Sequence, residues 1–172
     1  IRLLEIFSLP GIKNLNDFLN KKKNIKLKNL NLITADNIAN NSEYCPIIAG
    51  VSFLDQIKTL EVLSEIKFKN IAYPMLFLPF VSRASEIVGK RILLKLDEKE
   101  FLMNFNNCIY SNFSKQEIVK TAERVSIKII KNEDSFTETE WKELYKLSEE
   151  TFVEENESLK NSGAGAGLTD ND

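Results

Sequence analysis

Taken as apolar and polar positions alone, the chain switches between two periods. Ile12, Leu15, Phe18 and Leu19 recur at helical spacing, and Lys21, Lys22 and Lys23 follow where a helix dipole favours cations. Residues 1–9 read as the end of another helix, stopped by Pro10 and Gly11, so 1–23 is expected to be a helical hairpin. In 24–43 the pattern is weaker. Ile25 and Leu27 alternate, Leu30 and Leu32 alternate out of phase, and a bulged strand and a loop both fit. "YCPIIAG" (44–50) reads as a short apolar segment closed by Gly50. Phe53, Leu54, Ile57, Leu60 and Leu63 then mark a helix.

The middle of the chain is easier to read. "IAYPMLFL" (71–78) reads as a strand, with Pro74 favouring an edge or a bulge. Pro79 opens a helix on which Phe80, Ala84, Ile87 and Val88 share a face, and Gly89 closes it. "RILLKL" (91–96) and "EFLMNF" (100–105) read as strands around a turn. "SKQE" (114–117) has capping-box spacing and starts a short helix, and "RVSIKII" (124–130) alternates as a strand should. The resulting order over 71–130 is that of a ferredoxin-like βαββαβ core. Thr137 and Glu140 repeat the capping-box spacing. After them Trp141, Leu144, Tyr145 and Ser148 form a stripe expected to pack on the core. The expected fold is α+β: a small, mostly antiparallel sheet with helices packed on it, in one domain over 1–160, followed by a glycine-rich acidic tail over 161–172.

Composition narrows the chemistry. With 172 residues, 43% of them apolar, the chain is long enough to bury a core without staples. The net charge is −2, lysines being matched by glutamates, so no basic face is forced and nucleic acid is not an expected partner. No apolar run reaches the roughly 18 residues of a membrane helix. The opening "IRLLEIFSLPG" is too short and acidic for a signal peptide, and reads as the tail of a helix that begins upstream. Cys45 and Cys108 are too few for a disulfide framework and read as buried thiols in the reducing cytoplasm. There is no histidine. That excludes histidine-based triads and metal sites, leaving carboxylates, lysine, cysteine or an oxygen-ligated metal for any catalysis.

The candidate sites are few. In the terminal "GAGAGLTDND", Gly163, Gly165 and Gly167 permit alternating backbone conformations that turn successive N–H groups inward, a nest for an anion. A solvated chain end fits the same composition. Asp170 and Asp172 would repel an anion there unless a divalent cation such as Mg²⁺ sat on them. Alternatively, the acidic end could dock on a basic patch of its own or a neighbouring subunit. Arg83 lies early in the helix after a strand end, where anions are often bound, and Glu86 is within reach to pair with it. Trp141 and Tyr145 fit a core stripe better than a ligand stack.

"LEIFSLPG", "CPIIAG" (45–50), "PMLFLPFVSRASEIVGK" (74–90) and the terminal "GAGAGLTDND" together resemble a bacterial family that carries only a domain-of-unknown-function label. The resemblance runs in patches from Leu4 to Asp172, and the tail is its most specific part. It implies a helical stretch ahead of Ile1 and favours the tail as a site, but brings no activity and no catalytic residues. The expected function is a binding or accessory protein for a small anionic metabolite or a partner subunit, with a homo-oligomer among the arrangements that fit. The tail and Arg83 would form the contact. The alternative is a carboxylate- and divalent-metal-dependent enzyme, with Asp170 and Asp172 as ligands and the glycine amides on a substrate oxyanion.

Overall fold

Two short helices open the chain, α1 (Arg2–Ile6) and α2 (Gly11–Lys21). They are joined as the proline–glycine signal requires: Ser8 turns the chain at positive φ, and Pro10 is the N-cap of α2. Glu5 Oε1 accepts the Ile12 N–H at 2.7 Å, so α1 supplies a cap to α2. The expected α2 stripe is only half right. Phe18 is buried and Leu15 half-buried, but Ile12 and Leu19 are exposed.

The computed structural model describes residues 1–113, 117–131 and 135–149. Beyond α2 these form β1 (Leu27–Lys28), β2 (Asp36–Ile38), β3 (Glu43–Tyr44), α3 (Pro46–Leu60), β4 (Ile66–Ala72), α4 (Leu78–Val88), β5 (Arg91–Leu96), β6 (Lys99–Met103), β7 (Ile109–Ser111), β8 (Thr121–Ile130) and α5 (Glu138–Glu149). The chain divides into two units, Ile1–Asn132 and Glu133–Asp172. The first holds all eight strands. The class is α+β, a mostly antiparallel sheet with helices packed on it.

The sheet runs β1-β3-β4-β8-β5-β6-β7, with β2 also pairing with β4. Strands β2 and β3 are parallel to β4, β2 beside Lys67 to Lys69 and β3 beside Ile71. Asn37 holds β2 in place, donating to Lys67 O at 3.0 Å and Thr34 O at 2.7 Å. The ten-residue β8 lies between β4 and β5, antiparallel to both. The parallel β4 and β5 are therefore linked by α4 around an intervening strand, a split βαβ. A ferredoxin-like order would place β6, not β8, in that gap, so the expected core does not form. Its second helix is also missing from the described part: residues 117–120 are irregular, and 114–116 lie outside the described residues.

Three boundaries differ from the sequence reading. Gly50 lies inside α3 rather than closing a segment; Pro46, at its first turn, starts the helix. Strand β4 begins at Ile66 and ends at Ala72; Pro74–Leu76 is a 3₁₀ turn leading into α4. An apolar run buried on all sides has no period to separate strand from helix, which is why 71–78 reads as one strand. Gly89 does cap α4, at φ 64°.

The core lies between the sheet and the layer of α3 and α4, which pack on each other. Tyr44, Phe68, Phe77 and Phe53 form a chain of rings with centroids 5.7 to 6.3 Å apart. Each is buried, contributing roughly 1.5–3 kcal/mol by transfer from water. In the second unit α5 begins with the expected capping box. The Glu140 N–H donates to Thr137 Oγ1 at 3.3 Å, and Glu140 Oε2 accepts the Thr137 N–H at 2.7 Å. Its stripe is not buried: Trp141, Leu144 and Tyr145 are each more than half exposed.

Candidate functional site

Period-two alternation places Ile66 and Phe68 of β4, Val125 and Ile127 of β8, and Leu94 and Leu96 of β5 on the core side. Their neighbours face the other way, into a groove of about 650 Å³ on the sheet face opposite α3 and α4. Lys67 and Lys95 both sit opposite Ser126 on β8, one on each side, and Lys69 lies opposite Arg124 one step along. Directly opposed side chains start about 5 Å apart, so four cations share one small surface. Ile38 and the lysine stems supply apolar wall.

Acids stand among these cations: Asp36, Asp97 and Glu98 line the groove with them, and Glu65 flanks it. Glu65 accepts from Ser126 Oγ at 2.6 Å and pairs with Lys67 at 3.1 Å. The Ser126 hydroxyl and then Lys67 hold the Glu65 carboxyl below its ordinary value, and Glu65 in turn raises Lys67. Lys95 pairs with Glu100 at 2.6 Å and is raised by it. Asp97 turns β5 into β6 at φ 53°, its carboxylate accepting the Arg124 N–H at 2.8 Å. The Arg124 guanidinium meets Glu98 at 3.2 Å on an exposed rim. Lys69 has no ion-pair partner among the described residues. Exposed pairs of this kind are worth about 0–1 kcal/mol, so an entering anion exchanges partners at little expense.

A second feature lies where β4 ends. Tyr73 has φ 43° and ψ 58°, the left-handed region, directly before Pro74. A bulky residue is strained there and a following proline disfavours it further, by about 1–3 kcal/mol. Three contacts hold it. Its hydroxyl donates to Asp17 Oδ2 at 2.7 Å, its N–H donates to Lys120 O at 2.7 Å, and its ring meets Phe18 edge-on at 5.5 Å. Burial, and then Asp17, push the phenol up to about 12. Lys21, 2.7 Å away, and the Tyr73 hydroxyl hold the Asp17 carboxyl below its ordinary value.

Arg83 stands on α4, exposed and paired with Glu86, and does not line the groove. Gly163, Gly165, Gly167, Asp170 and Asp172 lie outside the described residues. Cys45 is the half-buried N-cap of α3, and Cys108 is half-buried after β6. Among the described residues no group of three or more aspartate, glutamate or cysteine side chains is placed to hold a metal, and no helix is long and apolar enough to cross a membrane. The groove residues escaped the sequence reading, although "IKFK" and "LLKL" mark their lysines as outward-facing. The missing information was that β4, β8 and β5 are neighbours.

Fold and site together define an α+β protein with an open, cation-bearing sheet face. Its residues 1–44 match the model of a family described as a protein of unknown function (DUF3726), so over that stretch the chain is similar to an uncharacterised domain family. No curated protein and no solved structure matches the chain. The matched segment supplies Asp36, Asn37 and Ile38 to the groove, and Asp17, Lys21 and Glu43 to the surroundings of Tyr73.

Proposed function

We propose that the protein binds a small anionic metabolite in the groove on its sheet face. The observation that carries this reading is the cross-strand row Lys67–Ser126–Lys95, with Lys69 and Arg124 beside it, opening on about 650 Å³. That volume suits a small metabolite. The ammonium groups of Lys67 and Lys95, on either side of Ser126, offer several donors to one phosphate or to the two ends of a dicarboxylate. Independently of this groove, the tail glycines Gly163, Gly165 and Gly167 offer backbone amides to an anion by their spacing in the sequence.

Calorimetry with phosphorylated and dicarboxylate metabolites tests the reading. Binding by the wild-type chain, weakened at least about tenfold by Lys95→Gln and again by Arg124→Gln, is expected. Binding by neither class at millimolar concentration, or binding that both variants leave unchanged, overturns it.

A further inference from the structure

We propose that a second cleft, at the end of β4, binds a free α-amino acid as its zwitterion. The cleft has a volume of about 330 Å³, and Lys21, Ile25, Glu43, Tyr73, Lys120 and Thr121 are among its walls. Its charges are opposite, share one cleft and are unjoined among the described residues. Glu43 Oε1 accepts the Thr121 hydroxyl at 2.5 Å, and among the described residues Glu43 enters no ion pair. Lys120 has no side-chain partner among them either. Both fields reach the same place: Glu43 helps raise the Tyr73 phenol, and Lys120 helps lower Asp17.

A carboxylate and an ammonium that line one cleft without closing on each other leave room for a ligand carrying both charges. A simple anion there would face Glu43, and a simple cation would face Lys120 and Lys21. A zwitterion places its ammonium on Glu43 and its carboxylate on Lys120, so every charge meets its opposite. Ile25, half-buried in the wall, leaves an apolar side for an aliphatic side chain.

The strain at Tyr73 points the same way. Its N–H is bonded to the carbonyl of Lys120, the residue assigned to the ligand carboxylate, and its hydroxyl fixes Asp17, which holds Lys21. A left-handed tyrosine before proline survives only where its surroundings over-determine it, and such residues gather at binding and catalytic sites. Here the strained residue ties the cationic wall to the end of the strand. The proposal does not rest on the sheet-face groove, whose lining shares no residue with this cleft.

Calorimetry on the full chain with L-alanine and L-leucine tests it, with propionate and propylamine as single-charge arms. Amino-acid binding is expected, with each single-charge arm weaker by at least about tenfold. Glu43→Gln and Lys120→Gln are each expected to weaken amino-acid binding by a similar factor, while Lys95→Gln in the groove leaves it unchanged. Lys120→Gln removes no hydrogen bond or ion pair among the described residues, so it reads the site even where Glu43→Gln disturbs the fold. No amino-acid binding at millimolar concentration, binding insensitive to Lys120→Gln, or propionate binding as tightly as leucine overturns the proposal.

Discussion

Tyr73 donates its phenolic hydrogen to Asp17, 2.7 Å away in space and 56 residues away in sequence, and so ties the end of β4 to α2. This bond carries a pH signature. The folded phenol titrates at about 12 against an ordinary 10.0, so the native state keeps the proton while the unfolded chain releases it. A raised folded pKa gives stability that is complete below the unfolded value and lost as pH climbs through the folded one. Between about pH 10 and 12 the protein is therefore expected to lose about 2 kcal/mol through this group. Tyr73→Phe should lower stability at neutral pH by about 1 kcal/mol and flatten that alkaline slope. Denaturant midpoints measured across the range check both.

Gly50 is a glycine for reasons of space. A Cβ there would overlap the ring of Phe80, where α3 and α4 cross. Phe80 lies in the first turn of a packed helix, so its ring has little freedom to yield. Gly50→Ala is expected to destabilise by about 1–3 kcal/mol, although alanine favours a helix. Gly50→Ala combined with Phe80→Leu should recover part of the loss, since the obstructing ring is gone. Urea melts of the two variants give the comparison.

Both glycine and proline punctuation and the period of apolar residues were readable along the chain. Gly89 closes α4, "RILLKL" is β5, and Thr137 with Glu140 caps α5, because each of these features depends on a few neighbouring residues. What could not be read was pairing between distant segments. "KFKNIA" carries the alternation of β4, yet nothing local says that β8 will lie against it and displace β6 from the ferredoxin-like place. The stretch 24–43 was obscure for a related reason. Its strands are only two or three residues long and form on distant partners, β2 and β3 on β4 and β1 on β3, with Asn37 bonded across to Lys67 O. Arg83, at a position suited to an anion, pairs with Glu86 three residues on, the partner that the sequence places within its reach.

The charges on the sheet face should separate stability from binding. Lys67, Lys95 and Arg124 pair with Glu65, Glu100 and Glu98, and all three cations are substantially exposed. Removing any one is expected to change stability by less than about 1 kcal/mol. Binding of an anion in the groove should fall with each removal and weaken with added salt, since the attraction is screened. Melting temperature and affinity measured side by side on Lys67→Gln, Lys95→Gln and Arg124→Gln give the test. A large loss of stability with unchanged affinity would reverse the assignment.

The start of α5 should respond to acid through one reciprocal contact. Glu140 is held below its ordinary value first by the Thr137 N–H and then by the Thr137 hydroxyl. A depressed folded pKa gives stability that is present above the unfolded value and lost as pH falls through the folded one. The first turn of α5 is therefore expected to fray as pH drops below the ordinary glutamate value of 4.5. Glu140→Gln, which can still accept a hydrogen bond, should remove the pH dependence and keep part of the cap. Thr137→Ala should lose the hydroxyl at every pH, by about 1 kcal/mol of helix stability. Trp141, the only tryptophan, lies one residue past Glu140 and stacks on Phe136 at 5.5 Å, so its fluorescence reports the turn directly. An emission titration with a step in wild type, no step in Glu140→Gln and a shifted baseline in Thr137→Ala is the expected result. Identical curves in all three would mean that the capping box does not set the start of this helix.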